Sequence, residues 1–386
     1  MRTVVLSDLH LGSGGDIDLL RREGLREELW SELEDADQVI LLGDVIELRD
    51  RPLQAALEIA RPFFEELAST ASGARLVLVP GNHDHHLLED WLEQRRLGQA
   101  GPLELEQRVP VESGALGRLL ARDARERLEL AYPGIWLRPR TYATHGHYLD
   151  RHLTIPTFER LAVAAVERVL GGGPEASVDE PGEPAEPGSA DPEDYERIQA
   201  PLYAFLFAIA QAGSPTERLG GVNPSARLWQ ALGGGYGRAA RLRGWLLGTV
   251  AVPGAVGVAN RLGLGPVRSD LSPGAITRAG LAAMGEVVRR LGVDADHVIF
   301  GHTHRRGPLR GETGWRLEVG TRLWNAGSWV YAAGLVGRTP GTSPYWPGTI
   351  VVVEGDRQPE LRHLLDERTK EELRSRPDAR SRRREP

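Results

Sequence analysis

The sequence has no cysteine among its 386 residues, which excludes a disulfide framework, a thiolate zinc site and a cysteine nucleophile. It has a single lysine, Lys370, so almost all of its 47 basic residues are arginine. With 46 Gly and 26 Pro this reads as coding bias, and no arginine is credited with chemistry for standing where a lysine could. An excess of positive charge is also missing. The formal net charge is −7, which argues against a surface that binds nucleic acid non-specifically. No apolar run reaches the roughly 20 residues that span a bilayer, and the longest, residues 245–259, is interrupted by Gly and Pro. The opening residues 1–10 lack the long apolar stretch and small-residue cleavage site of a secretory leader, so the expected location is the cytoplasm. What remains is 41% hydrophobic and 26% charged, the balance of a soluble chain with a sizeable core and one or two domains.

Along the chain, β-branched and leucine-rich runs alternate with helix-like segments. Residues 3–7, 38–42 and 75–79 read as strands, and residues 16–34 and 52–70 as helices. Continuous apolar strands between helices predict a sheet covered on both faces. Further strands are predicted within 127–146, at 297–300, and at 315–318, 323–331 and 349–354. Between 155 and 290 the texture changes. Residues 171–194 form a Gly-, Pro- and acid-rich stretch expected to be a flexible loop. It lies near two apolar runs, 202–210 and 245–259, which fit either a packed helical subdomain or a lid with a greasy face for a lipid or membrane surface. The polar end from 366 to 386 is expected to be disordered. The resulting division is 1–154 and 291–365 as two parts of one core, 155–290 as an insertion, and 366–386 as a tail.

Polar clusters stand at the strand ends: Asp8 and His10, Asp44, Asn82 with His83 and Asp84, His145, and His302 with His304. Open α/β sheets collect ligands at the carboxyl ends of their strands. In extended backbone residues two apart point the same way, so Asp8/His10 and His302/His304 are each expected to present two ligands in one direction. Oxygen and imidazole donors without sulfur suit Mn, Fe or Zn, and seven of these nine residues as donors would suit two ions sharing a carboxylate. Five of the eleven histidines fall in these clusters. No Ser or Cys lies among the proposed groups, so attack by a metal-activated hydroxide is preferred to a covalent enzyme intermediate.

As an ordered set, Asp8-Leu9-His10, Gly43-Asp44, Gly81-Asn82-His83-Asp84, His145-Gly146 and Gly301-His302-Thr303-His304 resemble the motifs of the calcineurin-like metallophosphoesterase superfamily, and Asn325-Ala326-Gly327-Ser328 is similar to the turn that follows its last motif. The resemblance covers about 1–150 and 295–355. It implies an α/β protein, a four-layer α/β/β/α sandwich carrying here a helical insertion, with a centre of two divalent ions, Mn first and Fe or Zn as alternatives. It assigns Asp8, His10 and His304 to one ion, Asn82, His145 and His302 to the other, and Asp44 to both. His147 is an alternative to His145, which is preferred because it follows the strand directly and precedes Gly146. The resemblance gives His83 contact with the scissile phosphate or protonation of the leaving group, and Asp84 the task of orienting it.

The phrases Ser7-Asp8-Leu9-His10-Leu11 and His145-Gly146-His147-Tyr148-Leu149-Asp150 look like the UDP-2,3-diacylglucosamine diphosphatase branch, which also carries a helical lid between its last two motifs. That branch tends to have Arg where His83 stands, and the insertion here is longer. The expectation is therefore a phosphoesterase of that general type acting on a phosphorylated small molecule or a nucleotide- or lipid-linked phosphate, with peripheral membrane contact through the insertion. Two alternatives stay open. One is a DNA-processing nuclease, opposed by the charge and by the absence of a basic, aromatic-interleaved stripe, so nucleic acid is not the expected partner. The other is a metal-free protein-binding scaffold, opposed by the full set of ligands.

Overall fold

The computed structural model describes residues 1–98, 101–111, 116–117, 127–169, 188–212, 252–337 and 339–374. Among them eleven strands form a large mixed sheet, accompanied by eight α-helices. Strands β1 (Arg2–Leu6), β2 (Gln38–Leu42) and β3 (Arg75–Val79) are parallel neighbours. Strand β5 (Leu128–Arg138) is long and changes partner midway. Its first residues, 128–130, pair parallel with β3, whereas residues 134–138 pair antiparallel with β6 (Thr141–Thr144). Parallel pairing then continues through β7 (His297–Phe300) to β9 (Arg322–Ala326). Antiparallel additions complete the sheet: β10 (Thr349–Glu354) beside β1, β11 (Glu360–His363) beyond it, β4 (Glu106–Val109) on β5 and β8 (Arg306–Gly307) on β9.

The two-residue period of a strand sends alternate side chains to different cores. Val4, Leu6, Val39, Leu41, Leu76 and Leu78 join an apolar cluster built with helices α1 (Glu27–Leu33), α2 (Leu53–Thr70) and α3 (Glu89–Arg96). Their neighbours Val5, Ile40, Leu42, Val77 and Val79 pack instead with Ile135, Ala143, Ile299 and Trp324 from the other half of the sheet. A third cluster sets Tyr142, Val298, Phe300 and Leu323 against Leu281, Met284, Val287 and Val288. Between β6 and β7 the chain forms α4 (Phe158–Val169), α5 (Pro192–Gln211), α6 (Val252–Arg261) and α7 (Pro273–Arg290). Helix α5 starts at a capping box, in which Asp191 and Asp194 satisfy each other's backbone N–H, with Pro192 in the first turn.

Several expectations need correction. Residues 16–34 form two short 3-10 turns, Leu19–Arg21 and Glu23–Leu25, before α1 rather than one helix. Residues 315–318 make only an isolated pairing of Arg316 with Arg322, and the strand expected at 323–331 ends at Ala326, where Gly327 takes φ 68° and turns the chain. The last part of the acidic stretch 171–194 is ordered: Gly188 and Ala190 donate to the carbonyls of Arg289 and Arg290, and Asp191 caps α5. The rest of that stretch lies outside the described residues, as does the start of the apolar run 245–259. Helix α7, within the segment read as an insertion, packs Leu281, Met284, Val287 and Val288 on the β6–β7–β9 face. The tail expected to be disordered from 366 instead forms helix α8 (Lys370–Arg374) and buries Leu373; residues 375–386 lie outside the description. No helix among the described residues is long and apolar enough to cross a membrane.

Candidate metal centre

The loops after β1, β2, β3, β6 and β7 bring their side chains together, although β5, which changes partner midway, pairs parallel with β3 and antiparallel with β6. These loops carry every proposed ligand. The side chains form three groups whose donor atoms lie within 4.8 Å of one another: Asp8, His10 and His304; His10, Asp44 and His83; and Asp44, His145 and His302. Asp44 and His10 each belong to two groups.

The backbone reaches this arrangement in a way that extended geometry does not foresee. Asp8, His10, Asp44, His302 and His304 all have positive φ, between 46° and 64°. The left-handed region is uncommon for such residues and collects at functional sites. As a result His302 and His304 do not point together; they enter different groups. The motif glycines are required by close approach. A Cβ on Gly81 would meet Asp44 Oδ1 and the His145 ring, and one on Gly301 would fall on Ser7 Oγ and within 2.5 Å of Asp8 Oδ2.

Three of the four imidazoles proposed as ligands, those of His10, His145 and His302, are turned by a partner on the far side. His10 Nδ1 lies 2.9 Å from Glu47 Oε2, which leaves Nε2 facing the site, 3.0 Å from His304 Nε2. His145 Nδ1 lies 3.0 Å from the carbonyl of Leu42, so its Nε2 faces Asn82 Oδ1 at 3.2 Å and Asp44 Oδ2 at 3.3 Å. His302 uses Nε2 on Asp150 Oδ1 at 3.0 Å, which leaves Nδ1 for the site. Buried Asp8 Oδ1 accepts no hydrogen bond, although His304 Nε2 is 3.2 Å away. Facing imidazole nitrogens and an orphaned carboxylate oxygen form a set of lone pairs that a divalent cation satisfies, and carboxylate or carbonyl partners behind the histidines are the usual support of such ligands. The residues present therefore fit the expected metal chemistry.

The electrostatics agree. Burial alone would lower the His10 pKa, but its bond to Glu47 and the charges of Asp44, Glu47 and Asp8 push it up to about 10. His145 is pushed up to about 9, against burial, chiefly by Asp44. Burial works to raise Asp44 and Asp8, yet the histidines hold Asp44 well below the usual range, and His304 and His145 hold Asp8 below it.

His83 reaches the centre with Nε2 3.9 Å from Asp44 Oδ2. Its Nδ1 is held 2.7 Å from Glu47 Oε2, so one buried carboxylate orients both His10 and His83. This corrects the role given to Asp84. The Asp84 carboxylate instead accepts the backbone N–H groups of Gly81 at 2.6 Å, Val45 at 2.7 Å, and Asp44 and Ile46 at 3.3 Å each. It ties the loop after β3 to the loop after β2, and burial, reinforced by Asp44, pushes its pKa up to about 6. Burial lowers the His83 pKa, an effect that Arg49 adds to. His147 stays outside the three groups, its Nε2 lying 3.3 Å from Tyr132 Oη, which favours His145 as the ligand. Sequence reasoning missed Glu47 and Asp150. Both follow a proposed ligand closely, three residues after Asp44 and five after His145, but what marks them is their burial, which the sequence does not show.

The centre opens onto a cleft of about 940 Å³. One wall carries Leu149, Leu153 and Ile155, then Ile276 and Leu281 of α7. Two of the arginines along the cleft are engaged, Arg305 with Glu312 and Arg374 with Tyr331 Oη at 3.0 Å.

No curated protein matches the chain. The family model for calcineurin-like phosphoesterase matches residues 1–170, a span that includes Asp8, His10, Asp44, Asn82, His83 and His145 and stops before His302 and His304. With these side chains gathered in three groups, residues 1–170 match the calcineurin-like phosphoesterase domain, and the protein is a hydrolase acting on phosphoester bonds.

Proposed function

We propose that the protein hydrolyses a phosphate or pyrophosphate ester with two divalent ions, Asp8, His10 and His304 holding one, Asn82, His145 and His302 the other, and Asp44 both. The observation that carries this reading is the place of Asp44, which faces His10 on one side and His145 and His302 on the other. Bound ions would supply an acidified water and positive charge for the phosphoester oxygens. The oxygen and nitrogen donors favour Mn, with Fe or Zn as alternatives. Glu47 fixes His83 with Nε2 toward the centre, where it can contact a phosphate oxygen or pass a proton to the departing group. The three separate apolar clusters, two of them on opposite sides of the same strands, support a four-layer α/β/β/α arrangement.

The apolar wall beside the centre supports a substrate with a greasy group next to its phosphate, in line with the resemblance to the UDP-2,3-diacylglucosamine diphosphatase branch. The engaged Arg305 and Arg374 speak against a polyanionic nucleic acid. Exposed Phe205, Val258 and Leu262 on and beside α5 and α6 support peripheral membrane contact through the insertion. The test of the central reading is chelation. Metal-stripped protein is expected to lose activity on p-nitrophenyl phosphate and bis-p-nitrophenyl phosphate and to regain it with Mn²⁺; full activity without bound metal would refute it.

A further inference from the structure

Helix α5 belongs to the insertion, yet it grips two of the loops around the second half of the centre. On one side lies the loop after β3, which carries Asn82 and His83. There the buried Glu196 Oε2 stands 2.9 Å from His85 Nε2, two residues after His83, and Phe207 stacks on His86 at 3.5 Å between ring centroids. On the other side lies the turn His147–Arg151, which carries Asp150, the partner of His302. There Tyr148 Oη donates to Glu196 Oε1 at 2.8 Å, Gln199 Nε2 donates to the carbonyl of His147 at 3.2 Å, and Tyr195 stacks on Tyr148 at 4.6 Å. Tyr132 of β5 also donates to Glu196 Oε1. One carboxylate thus joins the Asn82/His83 loop, a core strand and the turn behind His302. None of its partners is a proposed ligand.

We propose that α5 is a clamp on the metal centre and that Glu196 is its positioning residue, holding the Asn82 loop and the Asp150 turn at the separation the second ion needs. The proposal rests on the two-ion reading of the site. It assigns α5 a task different from that of a lid over substrate: its inner face is fixed to the machinery. A buried carboxylate with three partners transmits position because removing its charge leaves His85 and two hydroxyls to rearrange together. Ligands displaced by such rearrangement bind metal about 10–100-fold less well.

The experiment uses the full chain with Glu196→Gln, which keeps the shape and removes the charge. Mn²⁺ affinity is read by calorimetric titration of stripped protein, and kcat and KM on p-nitrophenyl phosphate after reloading. The expected result is affinity for the weaker of two Mn²⁺ ions reduced about tenfold or more, kcat reduced when Mn²⁺ is limiting and restored by excess, and KM changed less than about threefold. Val163→Ala, which loosens the Val163–Ile198–Leu202 packing between α4 and α5, controls for stability: it is expected to lower Tm without weakening the second ion. In a His85→Ala background Glu196→Gln is expected to add little further loss, because the two act as a unit. Phe207→Ala, which frees the outer side of the same loop without leaving a buried charge, gives a second arm, with about a threefold loss of Mn²⁺ affinity expected. The clamp is overturned if Glu196→Gln and Phe207→Ala bind both ions as the parent does, or if Val163→Ala loses affinity in step with its Tm. A parent protein that binds two ions but hydrolyses nothing would sink the proposed function and leave the clamp standing, since affinity is read without turnover.

Discussion

The strand-end loops and the insertion helices serve one centre by opposite means. The loops supply donors, and their backbone does the aiming through left-handed residues and glycines with no room for a side chain. The α5 helix has ordinary helical geometry, supplies no donor to the three groups, and contributes a buried polar contact with the same loops. Chemistry thus resides where the chain is strained and local, and support resides where it is regular and distant in sequence.

The sharpest way to break this contrast is at the shared ligand. Asp44→Ala is expected to lower kcat by about a thousandfold or more and to reduce bound metal, read by turnover and metal analysis; near-normal rates would end the bridging role. Next comes the group that faces the site without being assigned as a ligand. His83→Ala is expected to lower kcat about a hundredfold with metal content almost intact, and a parallel loss of metal would make His83 a ligand instead. A third effect concerns protons. In the metal-free protein His10 and His145, pushed up to about 10 and about 9, are charged at neutral pH and must lose their protons to bind a cation. Mn²⁺ affinity is therefore expected to rise between pH 6 and pH 8, by about tenfold per unit for each proton displaced, with proton release visible when the titration is repeated in buffers of different ionisation enthalpy. The smallest effect belongs to the cleft wall. Ile276→Ala should raise KM about fivefold for a long-chain alkyl phosphoester and less than about twofold for p-nitrophenyl phosphate. Equal shifts would remove the apolar wall from substrate binding.

The same contrast explains what could be read from the sequence. Strands β1, β2, β3, β7 and β10 were legible because each is a compact apolar run, and the ligands because each stands directly after such a run. Strands β4, β8 and β11 were missed because Glu106–Val109, Arg306–Gly307 and Glu360–His363 are short and polar; their partners create them. Glu47 was hidden because an acid beyond a Gly-Asp turn looks like any exposed loop residue until burial is known. Assigning Asp84 to His83 failed for a related reason: adjacency in the chain says nothing of direction, and the backbone amides of Gly81, Asp44, Val45 and Ile46 claim that carboxylate. Glu196 had no local signal, since its partners lie 48–111 residues away.

The left-handed turns at Asp8, His10, Asp44, His302 and His304 upset a habit of protein engineering. Alanine is the customary neutral substitute and glycine the disruptive one, by about 1 kcal/mol in regular structure. At these five positions the order reverses: alanine erases the donor but inherits a conformation it disfavours, whereas glycine erases the donor and relaxes into place. A ligand-deletion series built on glycine should therefore melt later than one built on alanine, and would give the cleaner background for asking what each donor does.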